Sequence, residues 1–167
     1  MTLLILRKPT YPLLAAALLA GLMILAPRAE IQAAEGNPFD VLLGSWGGSG
    51  NFKLNDGTSE RIQCSAYYTG GGSTLGMAIR CKSPSNNIEI RSKLNKSGSK
   101  ISGTWEERTF NAVGNASGSA SASNIRLQIS GGVSGSMSVN YSKSRQSVSI
   151  STSGSPLRSV QITLNRS

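Results

Sequence analysis

Apolar and polar residues alternate with a period of two along most of the chain beyond residue 45. The segment "RIQCSAYY" sets the pattern, since Ile62, Cys64, Ala66 and Tyr68 share one side of an extended chain. The same alternation recurs in "LGMAIRC", "NIEIRSKL", "KISGTWEE", "NIRLQIS", "SMSVNYS", "SVSIST" and "SVQITLN". Successive side chains of a strand point to opposite faces, so the pattern predicts antiparallel strands with one face toward a core and one toward water.

Short turn sequences separate these segments at intervals of roughly ten residues. They are "NDG", "TGGGST", "KSGSK", "SGG" and "TSGS". About eight to ten short strands with regular turns are typical of an up-and-down barrel or a sandwich. Closure removes the exposed edges that an open meander would leave, so we predict an all-β fold, a small antiparallel up-and-down β-barrel. The Gly/Ser-rich segment 111–124 is interpreted as a long loop or a weakly patterned strand of the same domain.

The chain contains two cysteines, Cys64 and Cys81, on either side of the "TGGGST" turn. If Tyr68 lies opposite Met77 in an antiparallel pair, then Cys64 lies opposite Cys81. Residues directly opposite each other come close enough for a cross-strand bond. We therefore predict one structural disulfide between the two cysteines.

The first 34 residues differ in composition from the rest of the chain. Arg7 and Lys8 precede the uncharged run "PLLAAALLAGLMILA" (12–26), and small alanines follow at a suitable cleavage point. This is the layout of a secretory signal peptide. A membrane anchor is the alternative, and it is disfavoured because the run falls short of the roughly 20 residues of a spanning helix. We expect residues 1–34 to be a signal peptide, residues 35–167 to form one barrel domain, and the protein to be periplasmic or otherwise exported.

The segment "LLGSWGGSG" (42–50) marks the entrance to the predicted fold. The preceding "NPFDVLL" is interpreted as a short helix or turn, and Gly44 lets the chain bend into the first strand. Trp46 is then expected to plug one end of a barrel, while the glycines after it let the strand coil sharply or let another backbone approach. A phosphate-binding loop is disfavoured, because the segment lacks the Gly-x-Gly-x-x-Gly spacing, a Lys-Ser/Thr ending and a following amphipathic helix.

This opening resembles the Gly-x-Trp start of lipocalins and the "LLGxWxGxG" start of nitrobindin-like haem-binding barrels, both of the calycin type. The chain after the signal also resembles small exported proteins of unknown function from rhizobia-like bacteria, with "WEERTFNAVG" (105–114) as the most distinctive segment. The resemblance implies a barrel with one closed end and one ligand-accepting mouth. Nitrobindin-like proteins hold haem iron through histidine, and this sequence has no histidine. Haem binding is therefore not carried over, and we expect no cofactor.

The residues give little support for catalytic chemistry. Without histidine, the usual general base and the usual Ser or Cys triads are missing. Glu106 and Glu107 are neighbours on a predicted strand and point to opposite faces, which prevents them from flanking one substrate atom. Acidic residues are few and dispersed, so no metal site is predicted, and Met77 and Met137 are interpreted as core filling. We expect a protein that is not an enzyme.

The formal net charge of +9 favours weak attraction to anionic surfaces. The basic residues are scattered along the chain and form no run. Aromatic residues make up 5% of the sequence, which is sparse for a platform that stacks bases. Nucleic acid is therefore not expected as a partner.

We predict a non-catalytic protein that takes a small apolar or amphipathic ligand into the barrel mouth. Trp46, Tyr68 and Trp105 are the candidate apolar lining, and Glu107 and Arg108 are the candidate polar contacts at the rim. Ordinary core packing is the alternative for each of the three aromatic side chains. The alternative function is a structural or interaction protein of the cell envelope, whose outer faces contact anionic polysaccharide, lipid headgroups or a protein partner.

Overall fold

The computed structural model describes residues 36–167, which form one short helix and ten strands. The elements are α1 (Pro38–Leu42), β1 (Gly44–Leu54), β2 (Ser59–Gly71), β3 (Thr74–Lys82), β4 (Asn87–Ser97), β5 (Lys100–Glu107), β6 (Ala112–Ala120), β7 (Asn124–Gly131), β8 (Ser134–Tyr141), β9 (Arg145–Ser153) and β10 (Leu157–Arg166). The predicted signal peptide, residues 1–34, lies outside the described residues. Within 36–167, no helix has the length and apolar character needed to cross a bilayer.

The ten strands form one closed antiparallel barrel in which each strand pairs with its neighbours in sequence. Pairing of β1 with β10 completes the ring, with Trp46 opposite Arg166 and Phe52 opposite Val160. The register shifts once along this pair, between Lys53 and Leu54. Closure leaves no unpaired edge among these ten strands, which confirms the predicted up-and-down barrel.

The alternation in the sequence is the alternation between the inside and the outside of the barrel wall. In β2 the buried residues are Ile62, Cys64, Ala66 and Tyr68, and the residues between them are exposed. The other strands follow the same rule, so one apolar core fills the inside of the barrel. Met77 and Met137, each 9% exposed, belong to this core, as predicted.

Cys64 and Cys81 form the predicted disulfide. Tyr68 lies opposite Met77 and Cys64 lies opposite Cys81, which is the register expected from the sequence. Both cysteines are 6% exposed and face the core. The bond therefore joins the β2–β3 hairpin on its buried side.

Two inward-facing glycines let β1 lie tightly against β10. A Cβ at Gly48 would fall 2.0 Å from the Thr163 carbonyl oxygen, and one at Gly50 would fall 1.9 Å from that of Gln161. Gly47 faces outward, where a Cβ would meet its nearest atom at an ordinary 3.5 Å. Among the glycines after Trp46, Gly48 and Gly50 are therefore the ones that allow the expected close approach of another backbone, that of β10.

The Gly/Ser-rich segment 111–124 contains β6, so the second of the two interpretations, a weakly patterned strand, is correct. β6 pairs with β5 over residues 112–119 and with β7 over residues 114–120. Its inward side carries small residues, among them Ala112, Gly114 and Ala116. Because these side chains are small, the strand shows little contrast between its two faces in the sequence.

Candidate functional site

The two ends of the barrel are built differently. Strands alternate in direction, so the start of β1 lies at the same end as the end of β2, and α1 lies there as well. We call this the closed end. The opposite end holds the connections β1–β2, β3–β4, β5–β6, β7–β8 and β9–β10, and we call it the mouth.

The helix α1 seals the closed end with apolar side chains. Asn37 caps the helix, its side-chain oxygen accepting from the Phe39 N–H at 3.2 Å, and Pro38 follows in the first turn. Phe39 and Leu42 are 0% and 1% exposed. Trp46 is 1% exposed, and its Nε1 donates to the Leu42 carbonyl at 2.7 Å. Trp46 therefore plugs this end, as the sequence predicted.

Arg166 attaches α1 to the barrel. Its guanidinium carbon lies 4.3 Å from the centroid of the Trp46 ring. Nη1 donates to the Leu43 carbonyl at 2.6 Å and Nη2 to the Val41 carbonyl at 2.5 Å. Nε donates to the Lys143 carbonyl at 2.7 Å. The planar fork of one guanidinium thus joins the last strand, the end of the helix and the β8–β9 loop.

A buried hydrogen bond crosses the core near the closed end. The Tyr68 hydroxyl donates to Gln146 Oε1 at 2.7 Å, and the two residues are 3% and 0% exposed. Burial raises the pKa of the Tyr68 phenol far above its ordinary value, and the hydrogen bond to Gln146 lowers it only in part. Tyr68 is therefore a neutral donor. The hydrogen bond satisfies the Tyr68 hydroxyl and Gln146 Oε1, while the buried Gln146 Nε2 has no hydrogen-bond partner in the described protein.

At the mouth, the inward-facing apolar residues are only partly buried. We call them the mouth lining: Leu54, Ile88, Ile90, Trp105, Ile129, Ile150 and Leu157. They come from six strands, pack against the buried core on one side and reach solvent on the other. At the closed end Phe39 and Leu42 are fully covered, and three apolar residues, Val41, Leu43 and Ala120, are partly buried. The mouth therefore has the larger set of partly buried apolar side chains.

Trp105 lies against the inner wall of the mouth. Gly114 faces it on β6, and a Cβ at Gly114 would come 2.8 Å from Trp105 Nε1. That nitrogen donates to the Ser130 carbonyl of β7 at 3.3 Å. The indole therefore lies over β6 with its polar atom satisfied, and part of the ring stays exposed at the opening.

The Glu107 carboxylate organises the β5–β6 turn at the rim. Oε1 accepts from the backbone N–H groups of Thr109 at 3.0 Å and of Glu89 at 3.2 Å. Oε2 accepts from the Phe110 N–H at 2.6 Å. Three backbone donors explain why a half-buried carboxylate is tolerated here. The turn that they stabilise carries Phe110 at its tip, where the side chain is 68% exposed.

Arg108 lies at the same rim and pairs with Glu89, with Nη1 and Oε1 3.6 Å apart. The same carboxylate contacts Arg91 at 2.8 Å and Arg80 at 3.5 Å. The hydrogen bond from Arg91, with the charge of Arg80, holds the pKa of Glu89 below its usual range. Because these groups are exposed, the network adds little to stability, but it neutralises part of the positive charge near the mouth.

The five residues predicted to contact a ligand lie at both ends of the barrel. Trp46 and Tyr68 are buried at the closed end, whereas Trp105, Glu107 and Arg108 lie together at the mouth. Alternation reveals the inner side of a strand but not the end of the barrel at which a residue lies. The interpretation of these five residues as ligand contacts stays a prediction.

Sequence reasoning missed Arg166 and Gln146. Arg166 lies in the polar "LNRS" end of the chain, where no pattern marks it. Gln146 precedes Val148 and Ile150 at a spacing of two, so it continues the inward side of β9. That spacing is the signal that could have identified it as a buried polar residue.

The described residues contain no metal-binding group, and two surface depressions lie away from the mouth. Among residues 36–167, no group of three or more His, Cys, Asp or Glu side chains is placed to hold a metal ion. A depression of about 360 Å³ lies on the outside of β1–β3, with Tyr67 and Arg80 in its lining. A second, of about 170 Å³, lies at the closed end beside Lys96 and Ser121.

Comparison with known proteins supports the fold. No protein-family model and no curated protein sequence matches the chain. Rv2717c from M. tuberculosis has a similar structure, with a TM-score of 0.62 and 16% identity over 79% of this chain and 99% of that one. The S-type phycobiliprotein lyase CPES from Guillardia theta has a TM-score of 0.53 and 12% identity over 77% of this chain and 89% of that one.

At these identities the similarity extends to the fold alone. It supports the barrel architecture implied by the resemblance to calycin-type proteins. The resemblance to exported proteins of rhizobia-like bacteria stays a prediction.

Proposed function

We propose that the protein is an exported, non-catalytic binding protein that takes a small apolar or amphipathic ligand in the barrel mouth. The observation that carries this proposal is the mouth lining, whose apolar side chains face inward yet remain partly exposed. Removing apolar surface from water is favourable by about 25 cal/mol for each Å². A ligand seated on these side chains would bury surface that the fold itself leaves open.

The chemistry around the mouth lining suggests the class of ligand. Branched aliphatic side chains and one indole favour an apolar body. At the rim, Arg108 has a half-exposed side chain. An amphipathic ligand would therefore place its apolar part beside Trp105 and its polar end near Arg108.

Two observations favour binding over catalysis. Glu106 faces outward, while both oxygens of Glu107 accept backbone N–H groups of the turn. Neither carboxylate is thus poised for acid–base chemistry in the mouth.

Export is favoured by the Cys64–Cys81 disulfide, because such bonds persist in oxidising compartments.

The first test is native mass spectrometry of the protein purified from its own envelope, with a denaturing mass measured on the same sample. We expect a discrete additional mass that is lost on denaturation. A native mass equal to that of the polypeptide would overturn the proposal.

Substitutions at the mouth locate the ligand. Trp105→Ala and Ile129→Ser remove apolar surface from the mouth lining, and both should lower the liganded fraction at least tenfold. Val113→Ala is the matched control, because Val113 lies on the same end of the barrel but faces outward and is 61% exposed. Equal ligand retention in all three variants would show that the ligand binds elsewhere.

A further inference from the structure

Basic side chains gather at the closed end of the barrel. The exposed or half-exposed residues there are Lys96, Lys100, Arg126, Lys143 and Arg145. They lie at the β4–β5 turn, near the start of β7 and on the β8–β9 connection, so they surround this end from separate hairpins. In the described chain, Asp40 of α1 is the acidic residue at this end. Its carboxylate accepts from the Gly72 N–H at 2.8 Å.

The mouth half of the barrel has a different charge balance. Among residues 36–167, the acidic side chains other than Asp40 all lie there: Asp56, Glu60, Glu89, Glu106 and Glu107. They are interspersed with basic residues, as in the contacts of Glu89 with Arg80, Arg91 and Arg108. The net positive charge is therefore larger at the closed end, where one acidic residue accompanies the basic ones, than in the mouth half, where five do. The sequence itself shows no basic run.

We propose that the closed end docks onto an anionic phospholipid surface, with the mouth directed away from the membrane. An anionic surface attracts nearby lysine and arginine side chains, and the attraction falls off within a Debye length. Cations on several turns at one end of a barrel can approach such a surface together. The depression of about 170 Å³ between the β4–β5 and β6–β7 turns, with Lys96 in its lining, has a size that suits the phosphate of a headgroup.

The course of the chain favours lipid over a soluble acidic polymer as the partner. The described chain begins at Gly36, and Pro38 follows in α1 at the closed end. In the sequence, nine residues (27–35) separate the uncharged run 12–26 from this point. A run of this kind is typical of a secretory signal or a membrane anchor, and either one favours a bilayer as the anionic surface that this protein meets.

The test is binding to vesicles of phosphatidylcholine alone and of phosphatidylcholine mixed with phosphatidylglycerol. The protein is isolated from its own envelope, so all variants carry the same N-terminus and its contribution cancels between them. We expect binding to the mixed vesicles alone, weakening as salt is added. The combined variant Lys96→Gln, Lys100→Gln, Lys143→Gln and Arg145→Gln should bind at least a hundredfold more weakly, since each cation contributes about fivefold.

A variant matched in charge provides the control. Lys53→Gln, Arg61→Gln, Lys82→Gln and Arg158→Gln remove four exposed cations from the mouth half. This variant should bind within about threefold of the unmodified protein. Equal weakening of vesicle binding in the two variants would overturn the proposal. It would mean that binding depends on the net charge of the protein and not on which end of the barrel carries the cations. Retention on alginate without binding to anionic vesicles would also overturn it, in favour of an acidic polysaccharide.

Orientation is measured on the unmodified protein, independently of any variant. Trp46 is fully buried, so quenching by aqueous iodide reports on Trp105 at the mouth. We expect this quenching to be unchanged when the protein is bound to vesicles. Protection of Trp105 by the vesicles would show that the mouth faces the membrane and would overturn the proposal.

Discussion

At the scale of single residues, the absence of a side chain decides how closely β1 and β10 can pair. We expect Gly50→Ala to destabilise the protein by about 1–3 kcal/mol, as overpacking does in other cores. The added Cβ would lie 1.9 Å from the Gln161 carbonyl oxygen and 2.7 Å from the Ile162 Cα, and backbone atoms cannot move aside cheaply. Urea unfolding measures the change in free energy.

Gly47→Ala is the control on the same strand. Its Cβ would meet the Ser167 hydroxyl oxygen at 3.5 Å, which is ordinary contact. The free energy of unfolding should stay within about 0.5 kcal/mol of the original value. An equal loss of unfolding free energy in Gly50→Ala and Gly47→Ala would contradict this expectation. It would mean that the paired strands can move apart at Gly50 without opening the barrel.

The buried phenol of Tyr68 should make the stability depend on alkaline pH. Burial raises its pKa in the folded protein, whereas the unfolded chain has the ordinary value of about 10. Above about pH 10, the unfolded chain releases a proton that the folded protein keeps, so stability present below that pH is lost as the pH rises. The loss attributable to Tyr68 should reach about 1.4 kcal/mol per pH unit.

Tyr68→Phe should remove this part of the pH dependence. At neutral pH the variant should also lose about 1–3 kcal/mol, because Gln146 Oε1 is left without its donor. Tyr67→Phe is the control, since Tyr67 is the adjacent residue of β2 and is 56% exposed. An identical pH slope in the original protein and in Tyr68→Phe would contradict the expectation.

At the scale of elements, α1 depends on its contacts with the barrel. Five residues are too few for a stable helix in isolation, so α1 is held by Phe39, Leu42 and the carbonyl groups that bind Arg166. We expect Arg166→Lys to lower the free energy of unfolding by about 1.5–3 kcal/mol, the range for hydrogen bonds to charged groups, because an ammonium group cannot reproduce the planar fork. Hydrogen exchange should show α1 opening more often in this variant.

Arg145→Lys is the matched control for Arg166→Lys. Arg145 is exposed at the same end of the barrel, and both substitutions keep the positive charge. Its unfolding free energy and the exchange of α1 should not change measurably. Equal effects of the two substitutions would mean that the hydrogen bonds of Arg166 do not hold the helix.

The disulfide acts on the β2–β3 hairpin. Replacing both Cys64 and Cys81 by alanine should cost about 3 kcal/mol, because the bond closes a loop of 17 residues in the unfolded chain. Comparison of the unmodified protein with and without a reducing agent provides the same measurement without a change in packing. A loss below about 0.5 kcal/mol by both routes would mean that the hairpin is already constrained when the chain is unfolded.

The elements that the sequence predicted well are those whose two faces differ strongly. In β2 and β3, alternation located the buried side and even the pairing of Cys64 with Cys81. In β6 the inward residues include Ala112, Gly114 and Ala116, and the outward ones are mostly Asn and Ser, so the contrast is weak. Its conformation is decided by pairing with β5 and β7, which a local pattern cannot show.

At the scale of the whole molecule, the barrel was predictable but the separation of its ends was not. The need to cover strand edges pointed to closure, and the pairing of β1 with β10 provides it. Trp105 lies at the mouth and Tyr68 at the closed end because their strands, β5 and β2, run in opposite directions in the barrel. These directions are known only once the order of all ten strands is known. Likewise, the basic closed end is assembled from turns distant in sequence, so only the fold brings its charges together.

The two tryptophans can be used to measure this difference between the ends. Trp46→Phe leaves the fluorescence of Trp105, which is partly exposed, and Trp105→Phe leaves that of Trp46, which is 1% exposed. We expect emission at longer wavelength and at least threefold stronger acrylamide quenching in Trp46→Phe than in Trp105→Phe. Equal quenching in the two folded variants would mean that both ends admit solvent alike. That result would remove the basis for a ligand site at one end and a sealed docking surface at the other.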